Sequence, residues 1–178
     1  ATGSGSYTTS FAPTYAGILM ALPVTEAPTN KVIPASYRMI TPFRLRKEVL
    51  DALVYARYVV LTQTPDGSTK IVDAPTAARS TSDFNRRSTM RSVLAVMQDA
   101  RTIADPYIGK LVDGRVREVL QSAINRMLQQ RAKDGYLTSG FCIVTATRAQ
   151  ERQGKAVATF YLTPALELRQ LQFVTYLS

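Results

Sequence analysis

The chain has 178 residues, 46% of them hydrophobic and 20% charged, with a formal net charge of +9. That length is one domain by the usual prior and enough to bury a core without staples, and the composition excludes disorder as the default state. Histidine is absent and Cys142 is the single cysteine, which removes the commonest general base, Ser/His and Cys/His nucleophile pairs, most zinc sites and any intrachain disulfide.

Ala1 to Thr14 is low in charge and rich in Gly, Ser and Thr, and is expected to be a flexible N-terminal arm whose Tyr7 and Phe11 could dock on a neighbour. Tyr15 to Leu22 is a short apolar segment, helical or extended, halted by Pro23; it is too short to span a bilayer and no basic stretch precedes it. A turn at Ala27 to Asn30 leads into an expected strand through Ile40. Thr41-Pro42 then opens a helix, with Thr41 as N-cap and Leu45, Val49, Leu50 and Leu53 as its buried stripe. Arg57 to Gln63 and Thr69 to Asp73 flank Thr64-Pro65-Asp66-Gly67-Ser68, which reads as a hairpin turned at Asp66-Gly67. Ala74 to Ser88 reads as a loop carrying Arg79, Arg86 and Arg87. From Thr89 to about Ala104 the spacing predicts a second helix with Met90, Val93, Leu94, Met97 and Ala100 inward, ended by Asp105-Pro106.

Asp113 to Ser178 forms the longest coherent unit. Val116, Val119, Leu120, Ala123, Ile124, Met127 and Leu128 recur at helical spacing on one face, with Asp113 as N-cap, Lys133 at the negative end of the dipole and Gly135 as the left-handed stop. Then come three strand-like runs rich in β-branched and aromatic residues: Tyr136 to Thr147, Ala156 to Thr163 and Leu168 to Leu177, the first two joined by a polar linker at Arg148 to Lys155. The last alternates Leu171, Phe173, Thr175 and Leu177 against Gln170, Gln172, Val174 and Tyr176. The expected fold class is α+β, a mixed or antiparallel sheet with helices packed on one face. Residues 15–178 are read as one domain, with 168–178 as its terminal strand.

The chemistry-bearing residues are dispersed. Gly109-Lys110 lacks the preceding glycine of a phosphate loop, and Leu111 stands where Ser or Thr would hold magnesium. Asp99, Asp105 and Asp113 lie near helix ends, where single carboxylates usually act as caps, so no catalytic residue, metal ligand or cofactor is assigned. Cys142 reads as a small buried hydrophobe. The excess of base suits an acidic partner, whether nucleic acid, membrane or protein, and equally a solvated surface; the densest local pair is only Arg86-Arg87.

Taken in order, these segments resemble the conserved C-terminal domain of the contractile-tail sheath proteins of bacteriophages and related injection particles. Tyr15-Ala16-Gly17 followed by Ala27-Pro28-Thr29-Asn30-Lys31-Val32-Ile33 is similar to the family's opening motifs. Leu50 to Asp73 resembles its helix and hairpin, and Thr76 with Arg79 stands where it carries a Thr-rich, Arg-containing loop. Arg91 begins a similar helix, Asp113 to Gly135 resembles the family's long helix, and Gly140-Phe141 and Pro164-Ala165 through Phe173-Val174 match its closing strands. The resemblance covers about residues 15–178. Many members carry further domains upstream, so the chain is read as a compact sheath or as part of a longer one.

The resemblance implies a structural subunit and not an enzyme, stacked as hexameric rings in a helical polymer around an inner tail tube. Such a sheath shortens to drive the tube through a bacterial envelope. The partners implied are other copies of the chain, the tail tube protein, the baseplate and the tail terminator, with no membrane; the location is the virion tail, and the host cytoplasm during assembly. It also implies that terminal arms add strands to neighbouring sheets. Leu168, Leu171, Phe173, Thr175 and Tyr176 are the candidates for that strand. Arg115, Arg117, Arg126, Arg131 and Lys133 are candidates for facing an acidic tube surface. A basic nucleic-acid-binding domain is the alternative, ranked below because no recognition helix with base-reading side chains stands out.

Overall fold

The computed structural model describes residues 10–34, 45–110, 113–167 and 174. These form two compact units divided between Arg87 and Ser88.

The first unit holds α1 (Ala12–Ala21), α2 (Lys47–Tyr55) and an antiparallel hairpin of β1 (Val60–Gln63) with β2 (Thr69–Asp73). Pro13 sits in the first turn of α1, so the helix starts inside the segment expected to be a loose arm. Phe11, Tyr15 and Ile18 pack on a core of Ile33, Ile71 and Ala74. Residues 30–33 run along β2: the N–H groups of Asn30 and Ile33 donate to the carbonyls of Ile71 and Thr69, each at 2.8 Å. The rest of that expected strand, 35–40, lies outside the described residues, as does the expected cap Thr41.

The hairpin turn forms where Asp66-Gly67 placed it. Gly67 takes a φ of 85°, and the Asp66 carboxylate accepts from the hydroxyls of Thr64 and Ser68. Those bonds, Thr64's first, hold the Asp66 pKa below its ordinary value. Behind the hairpin, buried Asp73 accepts from Arg86 Nη1 at 2.8 Å, from its neighbour's Ala74 N–H at 2.8 Å and from the Thr29 hydroxyl at 3.5 Å. Thr76 donates to the Phe84 carbonyl at 2.5 Å and so draws the expected loop into a turn at Asp83–Asn85.

Helix α2 departs from its expected burial. It begins after Arg46, none of its residues is buried, and Leu45 and Val49 are exposed at 40% and 44%. Amphipathic spacing marks an apolar face without saying whether anything in the same chain covers it.

The second unit is α3 (Arg87–Ala104), a 3-10 turn at Asp105–Tyr107, α4 (Gly114–Lys133), β3 (Leu137–Thr145), α5 (Arg148–Arg152) and β4 (Val157–Pro164). Asp113 caps α4 as expected, its Oδ1 accepting from the Val116 N–H at 2.7 Å. At the other end Tyr136 N–H bonds the Arg131 carbonyl and Gly135 N–H the Ala132 carbonyl, with Gly135 at φ 79°. This double closure is a Schellman motif, and the place of its usual apolar contact is taken by a cation–π contact, the Arg131 guanidinium lying over the Tyr136 ring at 4.6 Å.

Helix α4 lies over one face of the β3–β4 hairpin. Val96, Ile124, Leu128, Leu137, Cys142 and Val144 form the core, with Leu120, Met127, Phe160 and Leu162 packed around it. Each large side chain buried there contributes about 1.5–3 kcal/mol. Gly140 permits this close packing: a Cβ there would meet Leu162 Cδ2 at 3.0 Å and Leu137 Cδ1 at 3.3 Å, so both leucine side chains would have to shift by a few tenths of an ångström.

The fold is α+β with antiparallel pairing, as expected, but among the described residues the strands form two separate two-stranded sheets. Three further expectations change. In α3 the buried residues include Thr89, Ser92, Val96 and Ala100, while Met90 and Leu94 point outward at 39% and 57% exposure. In α4 Val119 is half exposed at 50%. The polar linker contains α5, closed by a reciprocal capping box in which Gln150 N–H donates to Thr147 Oγ1 and Thr147 N–H to Gln150 Oε1.

Candidate assembly surfaces

The five basic residues singled out on α4 fall into two groups. Arg117 is held by Glu151 of α5 and is partly buried. Arg131 Nε donates to Asp99 Oδ2 at 2.7 Å. That bond is the main reason its pKa is raised, leaving it charged at any ordinary pH. These two arginines tie α4 to α5 and α3. Arg115, Arg126 and Lys133 are instead exposed, and their spacings come to about three and two full helical turns, which sets them in one line. That line lies opposite the Ile124 and Leu128 face, so the solvent side of α4 presents a basic stripe roughly 27 Å long.

The β3–β4 hairpin offers an edge and a face. Its register pairs Phe141 with Tyr161, Cys142 with Phe160, Ile143 with Thr159 and Val144 with Ala158. Phe141 and Tyr161 stack on the side away from α4, 4.7 Å between centroids, and both are about half exposed. Ile143 at 41% and Val157 at 44% extend this exposed apolar face. Such a patch marks an interaction surface more often than a solvated one.

On the outer side of β3 the backbone is occupied. Cys142 N–H donates to Asn125 Oδ1 at 2.7 Å, Asn125 Nδ2 donates to the Cys142 carbonyl at 3.1 Å, and Val144 N–H donates to Gln121 Oε1 at 2.9 Å. Cys142 itself is 1% exposed, and burial pushes its thiol pKa up.

The strand candidates Leu168, Leu171, Phe173, Thr175 and Tyr176 lie outside the described residues, and Val174 is exposed. The last described residue before that segment, Glu167, accepts from the Ser88 hydroxyl of α3 at 3.0 Å. The scattered acids do not form a reacting cluster: Asp99 is engaged by Arg131 and Asp113 caps α4. An open groove of about 600 Å³ between α3, α4 and β4 is mostly apolar, lined by residues such as Met97, Leu120 and Phe160. Sequence reasoning missed the roles of Gln121 and Asn125 because a polar residue on a helix flank gives no sign of what it will meet.

No family model matches the chain, and no curated protein matches it. Solved structures do. A chain of the anti-feeding prophage baseplate superposes with a TM-score of 0.76 at 17% identity, over 94% of this chain and 49% of that one. A chain of the anti-feeding prophage helical sheath in its contracted state gives 0.76 at 18% identity, over 93% and 48%. The chain has the sheath-protein fold. A chain of the PVC sheath complex, an extracellular contractile injection system in its contracted state, agrees at 0.73 and 17% identity, over 92% and 49%. This sheath-fold chain spans about half the length of the solved chains it matches.

Proposed function

We propose that the chain is a structural subunit of a contractile tail sheath. The observation that carries this is the agreement of its fold, over 92% or more of its length, with chains of contracted injection-system sheaths. In this reading copies stack as six-fold rings into a helical polymer around an inner tube, joined at its ends by a baseplate and a terminator. Contraction drives the tube through a bacterial envelope, and the protein resides in the particle's tail after assembly in the host cytoplasm.

The described surfaces support that role. The Arg115, Arg126 and Lys133 stripe suits an acidic tube wall, whereas Arg117 and Arg131 hold α4 in place and drop out of the contact set. A subunit that slides against its neighbours while staying joined to them needs a backbone connection indifferent to side-chain rearrangement, which strand addition provides. The alternating terminal segment 168–178 supplies such a strand. Deleting Leu168 to Ser178 should abolish polymers visible by electron microscopy while the remainder keeps its secondary structure; polymers of normal length from the truncated chain would refute the role given to that segment.

A further inference from the structure

The groove of about 600 Å³ in the second unit is bounded by α3, α4 and β4. It opens where the inner face of the hairpin runs out from under the helices. Val144 and Ala158 are partners in the antiparallel register, so their side chains share a face, and Val144 is buried in the core. Ala158 is nevertheless exposed, and so is Ala156 just before the strand. A stretch of core-side sheet is thus left uncovered. Beside it α4 presents Val116, Leu120 and Ile124 at i, i+4 and i+8, an apolar wall of two helical turns, about 12 Å long.

The charges around this groove are all of one sign. Arg101 of α3, Lys110 beyond the 3-10 turn and Lys155 before β4 are exposed at its margin. None of the three forms an ion pair among the described residues; Lys110 rests on the Tyr107 ring at 5.2 Å. The remaining cation there, Arg117, is already engaged by Glu151. No carboxylate is found among the described residues that line the groove.

We infer that this groove docks an acidic amphipathic helix of another protein. Three constraints select that occupant. An apolar wall two turns long matches one apolar helix face, whose anchors recur at the same spacing. Walls made of aliphatic and aromatic side chains give backbone groups no partner, so the occupant must pair its own N–H and C=O groups, as a helix does and an extended segment does not. A rim of unpaired cations calls for carboxylates flanking the apolar face. A second copy fits this rim poorly, because the chain itself carries a net charge of +9. The inference goes beyond the sheath reading and does not depend on it.

Binding of a fluorescein-labelled synthetic peptide to the full-length chain tests this. The peptide is about four helical turns long, with leucines on one face and glutamates beside them. Saturable binding with a Kd on the order of 10 μM is expected, and a peptide of the same composition with the leucines scrambled should bind at least about tenfold more weakly. Ala158→Phe fills the groove at an exposed position, so it should abolish binding without changing the circular dichroism spectrum. Arg101→Glu with Lys155→Glu should weaken binding by about tenfold and should restore it for a peptide carrying lysine in place of glutamate; that swap separates a charged rim from general loosening of the fold.

Equal binding of the ordered and scrambled peptides would overturn the inference, as would indifference to Ala158→Phe. Two other occupants give their own signatures, and either result would also overturn it. Binding seen only in Leu111→Ser with Val112→Ser would mean that the chain fills its own groove. Self-association lost in Ala158→Phe, with no peptide bound to the native chain, would assign the groove to a second copy. Electron microscopy of the native chain keeps the two levels apart: normal polymers without peptide binding defeat the groove assignment alone, whereas peptide binding without polymers defeats the sheath reading alone.

Discussion

Asn125 meets the backbone of Cys142 with both halves of its amide, accepting from the N–H at 2.7 Å and donating to the carbonyl at 3.1 Å. One side chain thereby fixes the distance and the register between α4, which carries the exposed basic residues, and β3, one strand of the β3–β4 hairpin. Any force on the exposed side of α4 is transmitted to the sheet through this contact, the Gln121 bond to Val144 and the core beneath them.

Replacing Asn125 with Leu strands a partly buried N–H and carbonyl. The expected cost is about 2 kcal/mol, the desolvation of two unpaired backbone groups less what Leu gains by packing. Asn125→Asp, which keeps the acceptor for Cys142 N–H, should cost less. Urea unfolding of the two variants checks this; equal stabilities would show that the amide contributes nothing through these bonds.

In the first unit the ion pair between Arg86 and Asp73 is nearly out of solvent, with side chains 11% and 7% exposed. Losing the arginine leaves an almost buried carboxylate with its charge less well compensated. Arg86→Ala should therefore cost about 3 kcal/mol, far more than an exposed pair would. Replacing both partners by apolar residues of similar size should recover most of that loss, and a double-mutant cycle measures it.

These effects mark where the sequence was legible. Asp113 and Gly135 bounded α4 because a cap and a left-handed stop are local chemistry, and Asp66-Gly67 located the hairpin turn for the same reason. Helix α3 was misread in its inward face: the polar Ser88, Thr89 and Ser92 are buried and the apolar Leu94 is out. Small side chains allow close approach of a neighbouring element, and hydrophobic spacing cannot register that. Nothing in the sequence marks the amides of Gln121 and Asn125, because their partners are backbone groups 23 and 17 residues away, known only once the strand has been laid beside the helix.

Cys142 gives a prediction in pH. Burial raises its thiol pKa in the folded state, so the unfolded chain loses the proton first. The sign follows: this contribution to stability is complete below the unfolded thiol's pKa of about 8.5 and is lost as pH rises toward and through the folded value. Stability should fall more steeply above that pH in the native chain than in Cys142→Ala, and the native thiol should resist alkylation at pH 8 until the chain is unfolded. Rapid labelling of the folded protein would contradict the burial.

The stripe on α4 predicts charge-dependent binding. Reversing Arg115, Arg126 and Lys133 to Glu should leave the circular dichroism spectrum unchanged, since all three are exposed, and should weaken binding to assembled tail tubes by tenfold or more, about 1.4 kcal/mol or above. Reversing Arg117 should instead loosen α5, through loss of its pair with Glu151. Tight, salt-dependent retention on DNA, removed by the same triple reversal, would transfer the stripe to the nucleic-acid alternative.

The most direct test of the sheath assignment is electron microscopy of the purified full-length chain, with and without assembled tail tubes, across a range of protein and salt concentration. The account predicts hollow helical cylinders or stacked rings, on tubes or free, that disappear when residues 168–178 are removed. A folded monomer under every condition, indifferent to the tube, would contradict it.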